Sequence, residues 1–137
     1  MNIVLFSINP KYAMAILKGK KRVEFRRVPP RGSFSHGVIY ATRPVCAVIG
    51  YFNVIGVTRA TTQVLWEKYG EICGISNDEF LDYFRNRDSG AAIVIQKAIA
   101  LPKPVPLRDL GIERAPQSFA YLPEIVLKKL EEYRHAH

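Results

Sequence analysis

Cysteine is scarce in this chain: Cys46 and Cys73 are its two thiols, and neither belongs to a C-x-x-C pair. That excludes a disulfide framework and a cysteine zinc site, and leaves reduced thiols as the expectation. Histidine is almost as rare, with His36 in the body and His135 and His137 at the tail, so no metal or other cofactor is expected. No apolar run approaches the roughly 18 residues of a membrane span. The opening "MNIVLFSINP" has no basic segment ahead of its short apolar run, which argues against a signal peptide and for a soluble, cytoplasmic protein. Repeats and low-complexity tracts are missing as well. Acidic residues are in deficit, 12 against 20 Lys plus Arg, for a net charge of +8. Such an excess favours polyanionic partners, although a merely solubilising surface would carry it too.

What is present is globular: 48% of the 137 residues are hydrophobic and the polar residues are dispersed among them. One domain spanning 1–137 is expected. "NIVLFSI" reads as a strand leading into a helix at Asn9-Pro10, with Asn as N-cap and Pro at the first helical position. That short helix, "PKYAMAILK", ends at Gly19 in a left-handed cap. Strands follow in "RVEFR", "HGVIYAT" and "VCAVIGYFNVIGVT", the last with Gly50 and Gly56 placed for bulges. "TTQVLWEKYG" and "SNDEFLDYFRNR" read as helices capped by Thr61 or Thr62 and by a Ser76/Glu79 capping box. Leu65, Trp66, Tyr69, Phe80, Leu81 and Phe84 are assigned to the core. "AAIVIQKAIALPKPV" is a further strand broken by its prolines, and "PEIVLKKLEEYRHAH" a terminal helix with Ile125, Leu127 and Leu130 apolar. This order suits an α+β fold, a small mixed barrel decorated by helices.

The charge is concentrated in one place. Lys18, Lys20, Lys21, Arg22, Arg26, Arg27 and Arg31 lie within 14 residues, with Glu24 the single acid among them. Alternation puts Val23 and Phe25 on one face of a half-buried strand and Arg22, Glu24 and Arg26 on the other. The cations form either a solvated edge that discourages sheet-to-sheet pairing or a surface that contacts phosphates. Glu24 is placed to pair with Arg26 and orient its guanidinium.

The segment "LFSINPKYAMAILKGKKRVEFRR" resembles the N-terminal signature of the ASCH domain family, relatives of the PUA domain. The motif G-x-K-x-x-E-x-R falls on Gly19, Lys21, Glu24 and Arg26. Ser7, "VIYATRP" at 38–44, "VIGYF" at 48–52 and "APQSFAYL" at 115–122 extend the similarity over essentially the whole chain. The resemblance implies a PUA-like mixed β-barrel with a basic cleft beside the first helix, used in the superfamily for RNA or modified nucleotides. One branch hydrolyses acetylated cytidine with the motif lysine and a threonine where this chain has Glu24. A carboxylate cannot serve as that hydroxyl nucleophile, so the chain departs from that branch. Other members are proposed ribonucleases or regulators.

The expected function is therefore RNA or nucleotide binding. Ser7, Lys20, Lys21, Glu24, Arg26, Tyr40, Thr42, Arg43, Gln117, Ser118 and Tyr121 are the candidate ligand-binding residues. In the alternative, a hydrolase of RNA or modified nucleosides, Lys21 and Glu24 form the catalytic pair, with Ser118 or Tyr121 as an assisting hydroxyl. A non-catalytic regulatory module is the third possibility. Each outlying residue also has a structural reading: Ser7 and Thr42 as turn caps, Tyr40 as core, and "PQSF" as a loop fixed by side-chain to backbone bonds.

Overall fold

The computed structural model describes residues 2–136, and strand β1 (Asn2–Ile8) passes directly into helix α1 (Pro10–Leu17). Met1 and His137, the last residue of the expected terminal helix, lie outside the described residues. The Asn9 side chain accepts the Lys11 backbone N–H, and Gly19, at φ +77°, takes the left-handed position after the helix. The chain continues through β2 (Val23–Arg26), β3 (Phe34–Ala41) and β4 (Ala47–Thr61), then α2 (Thr62–Tyr69) and α3 (Asn77–Tyr83). Thr61 caps α2, and Ser76 with Glu79 forms the capping box of α3. A long strand β5 (Ser89–Val105), a 3-10 turn (Leu107–Leu110), β6 (Phe119–Leu122) and α4 (Ile125–Arg134) complete it.

The six strands form one sheet in the order β2-β5-β4-β3-β1-β6. Among the described residues no ladder joins β2 to β6, so the expected barrel is a curled sheet left open, within an α+β fold. Strand β4 is irregular where it pairs with β5, with register shifts beside both Gly50 and Gly56. This is the bulged strand the glycines suggested. One cluster of buried side chains, Ile3, Leu5, Val38, Tyr51 and their neighbours, is closed off by Val126 and Leu130 of α4. A second lies under α1 around Phe6, Ile16, Ile39 and Phe52, and a third joins Val23 and Phe25 to α2 and α3.

Several local expectations are corrected. Strand β5 is unbroken through Pro102 and Pro104, because its pairing with β4 skips from Ala100 to Val105 and the prolines need donate no ladder bond. Strand β6 was not anticipated. Leu81 is 59% exposed and Ile125 56% exposed, whereas Val126 is buried. In α4 the buried face carries Val126 and the expected Leu130, four residues apart, with Leu127 half-buried beside them and Ile125 turned to solvent. Among the described residues no helix is long and apolar enough to cross a membrane, and no group of three or more His, Cys, Asp or Glu is placed to hold a metal.

Candidate functional site

Strand β2 is where sequence and structure part most clearly. All four of its residues are buried, not alternate ones, because α2 and α3 cover the Val23 and Phe25 side while α1 and β1 close over the other. Arg22, just before the strand, is exposed, but Glu24 and Arg26 are each 8% exposed and Lys21 3%. Three ionisable side chains so deeply placed need internal partners, since burying an unpaired charge costs several kcal/mol.

They find them in one network. Lys21 Nζ donates to the carbonyls of Val23 at 2.8 Å and Cys73 at 2.9 Å, and lies 3.4 Å from Glu24 Oε1. Two hydrogen bonds and one close counter-charge thus compensate the buried ammonium. Arg26 Nη2 donates to Glu24 Oε2 at 2.9 Å and to the Ser7 carbonyl at 3.2 Å. Its Nη1 reaches Ser118 Oγ at 3.1 Å. Arg26 thereby ties the edge strand β2 to β1 and to the residue before β6, bridging by a side chain the two edges that no ladder joins. Its guanidinium carbon stands 5.1 Å from the centre of the Phe6 ring. One donor remains: Arg26 Nε is buried and has no partner among the described residues.

This network forms the floor of a cleft of about 210 Å³ between α1, β2 and the start of α3. Its walls include Asn9, Tyr12, Phe25, Ile75, Glu79 and Tyr83. Lys21 and Arg26 are balanced by Glu24 and Glu79, so the lining itself is not basic. The positive excess lies outside, in exposed cations such as Lys20, Arg27 and Arg31. Arg27 lies over the Tyr83 ring, 4.8 Å from its centre.

Tyr12 of α1 donates a short hydrogen bond to Glu79 of α3 across the cleft. Glu79 is held down at about 2, first by the Ser76 backbone N–H and then by the Tyr12 hydroxyl, while the Tyr12 phenol is pushed up to about 12, chiefly by the same bond. The stabilisation from Glu79 is therefore complete above its ordinary value of 4.5 and is lost as pH falls through about 2. That from Tyr12 is complete below 10.0 and is lost as pH rises through about 12. Tyr12→Phe is expected to raise the Glu79 pKa from about 2 towards, but not to, 4.5, because the Ser76 bond survives. Carbon-13 NMR titration of the Glu79 carboxyl measures this, and an unmoved pKa would contradict it.

Of the expected site residues, Ser7, Lys21, Glu24 and Arg26 line the cleft, and Ser118 joins them through Arg26. The others do not line it. Ser7 Oγ donates to the Pro116 carbonyl at 2.6 Å, so the Ser7 side chain anchors the segment before β6 while its carbonyl serves Arg26. Tyr40 is a core residue packed with Leu5, Val38 and Tyr51, and burial, then the Cys46 thiol beside it, pushes its phenol up. Thr42 shapes a turn through its backbone, donating to Ile8 and accepting from Val45, and Arg43 is exposed in that turn. Lys20 and Gln117 are exposed. The Tyr121 hydroxyl accepts from the Arg31 N–H at 2.7 Å and donates to the Arg31 carbonyl at 2.9 Å, fastening the 28–33 loop. Lys21 Nζ is held by the protein's own groups, two backbone carbonyls and the Glu24 carboxylate. Sequence reasoning missed Tyr12 and Tyr83 altogether and saw Glu79 only as a cap; the capping-box spacing was the one available signal.

The G-x-K-x-x-E-x-R motif that floors this cleft lies within an α+β fold shared with ASCH domains. Residues 6–104 match the ASCH domain family, and the chain belongs to it. It is 34% identical over 131 residues to an ASCH domain-containing ribonuclease of Zymomonas mobilis, covering 92% of this chain and 88% of that protein. The crystal structure of a tyrosine-to-phenylalanine mutant of the ASCH protein from Zymomonas mobilis matches with a TM-score of 0.87 and 31% identity, over 96% of this chain and 98% of that one. The crystal structure of the ASCH protein from the same organism matches with a TM-score of 0.85 and 32% identity, over 95% and 94% of the two chains.

Proposed function

We propose that this chain binds RNA or a nucleotide, with a base seated in the cleft and the sugar-phosphate chain crossing the exposed cations around it. The observation that carries the reading is the Lys21-Glu24-Arg26 floor of the cleft, in which Arg26 Nε is a buried donor without an acceptor among the described residues. Leaving such a group unmatched costs about 1–3 kcal/mol, and a ligand acceptor removes that cost. A donor next to an acceptor is complementary to the edge of an amino-bearing base, which presents an acceptor next to an amine. Tyr12 and Tyr83 supply rings in the lining, and stacking on such rings contributes about 1–3 kcal/mol per base. Phosphate contact falls to exposed cations, Arg27 and Arg31 among them, because Lys21 is spent on the floor.

A single-stranded RNA that places about four to six phosphates on these cations should show log Kobs falling against log salt with a slope of about −3 to −4. Arg27→Ala is expected to reduce that slope by about 0.7. Fluorescence anisotropy on labelled RNA across a salt series measures both, and a flat response would overturn the proposal. RNA cleavage is the second reading, favoured by the ribonuclease among the relatives. In it Glu24 is the reacting carboxylate, held by Lys21 and Arg26, and Ser118 is the hydroxyl nearest that network. The same samples run on a denaturing gel decide between them: cleavage abolished by Glu24→Gln supports an enzyme, and intact RNA that stays bound supports binding alone.

A further inference from the structure

We infer that a second groove, on the far side of Lys21 from the cleft, carries the phosphodiester chain of the RNA strand whose base enters the cleft. This rests on the RNA-binding reading above and assigns the strand a path. The groove has a volume of about 300 Å³ and lies between the C-terminal end of α1 and the middle of β5. Lys21 lines both it and the cleft, so a single side chain separates them.

The two hollows differ in chemistry. The cleft lining holds two cations and two carboxylates, whereas the groove is lined by Lys18, Arg22 and Lys97 and by no Asp or Glu. All three cations are exposed, and among the described residues none takes part in an ion pair. The other polar side chain on its wall also presents a donor. Gln96 Oε1 accepts from Asn53 Nδ2 at 2.6 Å, so the amide NH2 is the group Gln96 has left to offer a ligand, and Asn53 Oδ1 accepts the Lys97 backbone N–H at 3.0 Å. Gly19 sits on the rim with open space where a side chain would stand. A concave wall of donors, free of acids and one side chain from a base-sized cleft, fits a strand of linked phosphates better than a flat anionic surface.

The test compares wild type with the triple variant Lys18→Ala, Arg22→Ala, Lys97→Ala, binding a labelled single-stranded RNA of about ten nucleotides and, separately, a mononucleotide. Loss of three phosphate contacts should reduce the salt slope by about 2 and weaken RNA binding at low salt by at least about tenfold. Mononucleotide affinity should be unchanged. A second triple variant, Lys103→Ala, Lys128→Ala, Lys129→Ala, removes the same charge from other exposed positions and should leave the slope within about 0.5 of wild type. An unchanged slope in the groove variant overturns the inference, as does an equal loss in the control, which would reduce the effect to net charge. Wild-type protein that binds mononucleotide without gaining affinity from chain length overturns the groove and leaves the cleft standing. Wild-type protein that binds neither overturns both.

Discussion

Replacing Glu24 with alanine is expected to lower the free energy of unfolding by about 3–5 kcal/mol. The carboxylate stands between two buried cations, 3.4 Å from Lys21 Nζ and 2.9 Å from Arg26 Nη2, and the variant leaves both without a counter-charge. Lys21 keeps two backbone carbonyls and Arg26 keeps Ser7 and Ser118, but these are neutral acceptors in a site that water barely reaches. Glu24→Gln preserves shape and one acceptor, so a smaller loss of about 1–3 kcal/mol is expected. Urea denaturation measures both, and a Glu24→Ala midpoint equal to wild type would show that the network contributes nothing to the fold. Adding Lys21→Met to Glu24→Ala removes one of the stranded cations, so the double variant should lose less than the sum of the two single losses. A non-additivity of about 0.5–3 kcal/mol is the size such contacts give.

Gly74→Ala should be the most damaging single methyl in the site, at about 2–5 kcal/mol. Gly74 has φ +73°, a left-handed backbone that costs an L-residue about 1–2 kcal/mol. A Cβ there would stand 2.6 Å from Lys21 Cβ and 3.0 Å from Lys21 Cα. The Lys21 backbone cannot swing aside, because its N–H is bound to Ala15 and that of Arg22 to Ile72. Overpacking of this kind adds about 1–3 kcal/mol. The same substitution at Gly111, at φ +76° with nothing within 4 Å of the added carbon, should show the conformational part alone. Equal shifts in thermal midpoint for the two variants would mean that the contact with Lys21 is without consequence. The glycine is in the site for the lysine: it lets the 73–75 segment come close enough for the Cys73 carbonyl to meet Nζ.

Which features could be read in advance follows from the range of the interaction behind each. The cap of α1 at Asn9, the left-handed Gly19 and the Ser76 capping box depend on neighbours within about four residues, and each formed as expected. The Glu24–Arg26 pair, two positions apart on one strand, was legible for the same reason. Leu81 and Ile125 were misplaced because apolarity does not say which face of a short helix meets the sheet. Strand β6 was missed because its four residues gain strand geometry by pairing with β1, more than a hundred positions earlier. Tyr40, Thr42, Arg43, Gln117 and Tyr121 are polar residues in segments the motif made conspicuous, yet their side chains serve core and loops or stay in solvent.

By itself the sequence determined the elements that local chemistry controls, the excess of positive charge and the motif that places the chain in its family. Tertiary structure alone decided that this charge divides into a balanced cleft, a buried network and an acid-free groove. Nothing near Lys21 in sequence announces that it turns inward, since one of its acceptors, the Cys73 carbonyl, is 52 residues away. Arg26 likewise finds Ser118 at a separation of 92 residues. Whether a cation meets solvent or carbonyl oxygens is settled by segments brought together only when the chain folds, and Arg26 Nε is buried without a partner among the described residues only once they are in place.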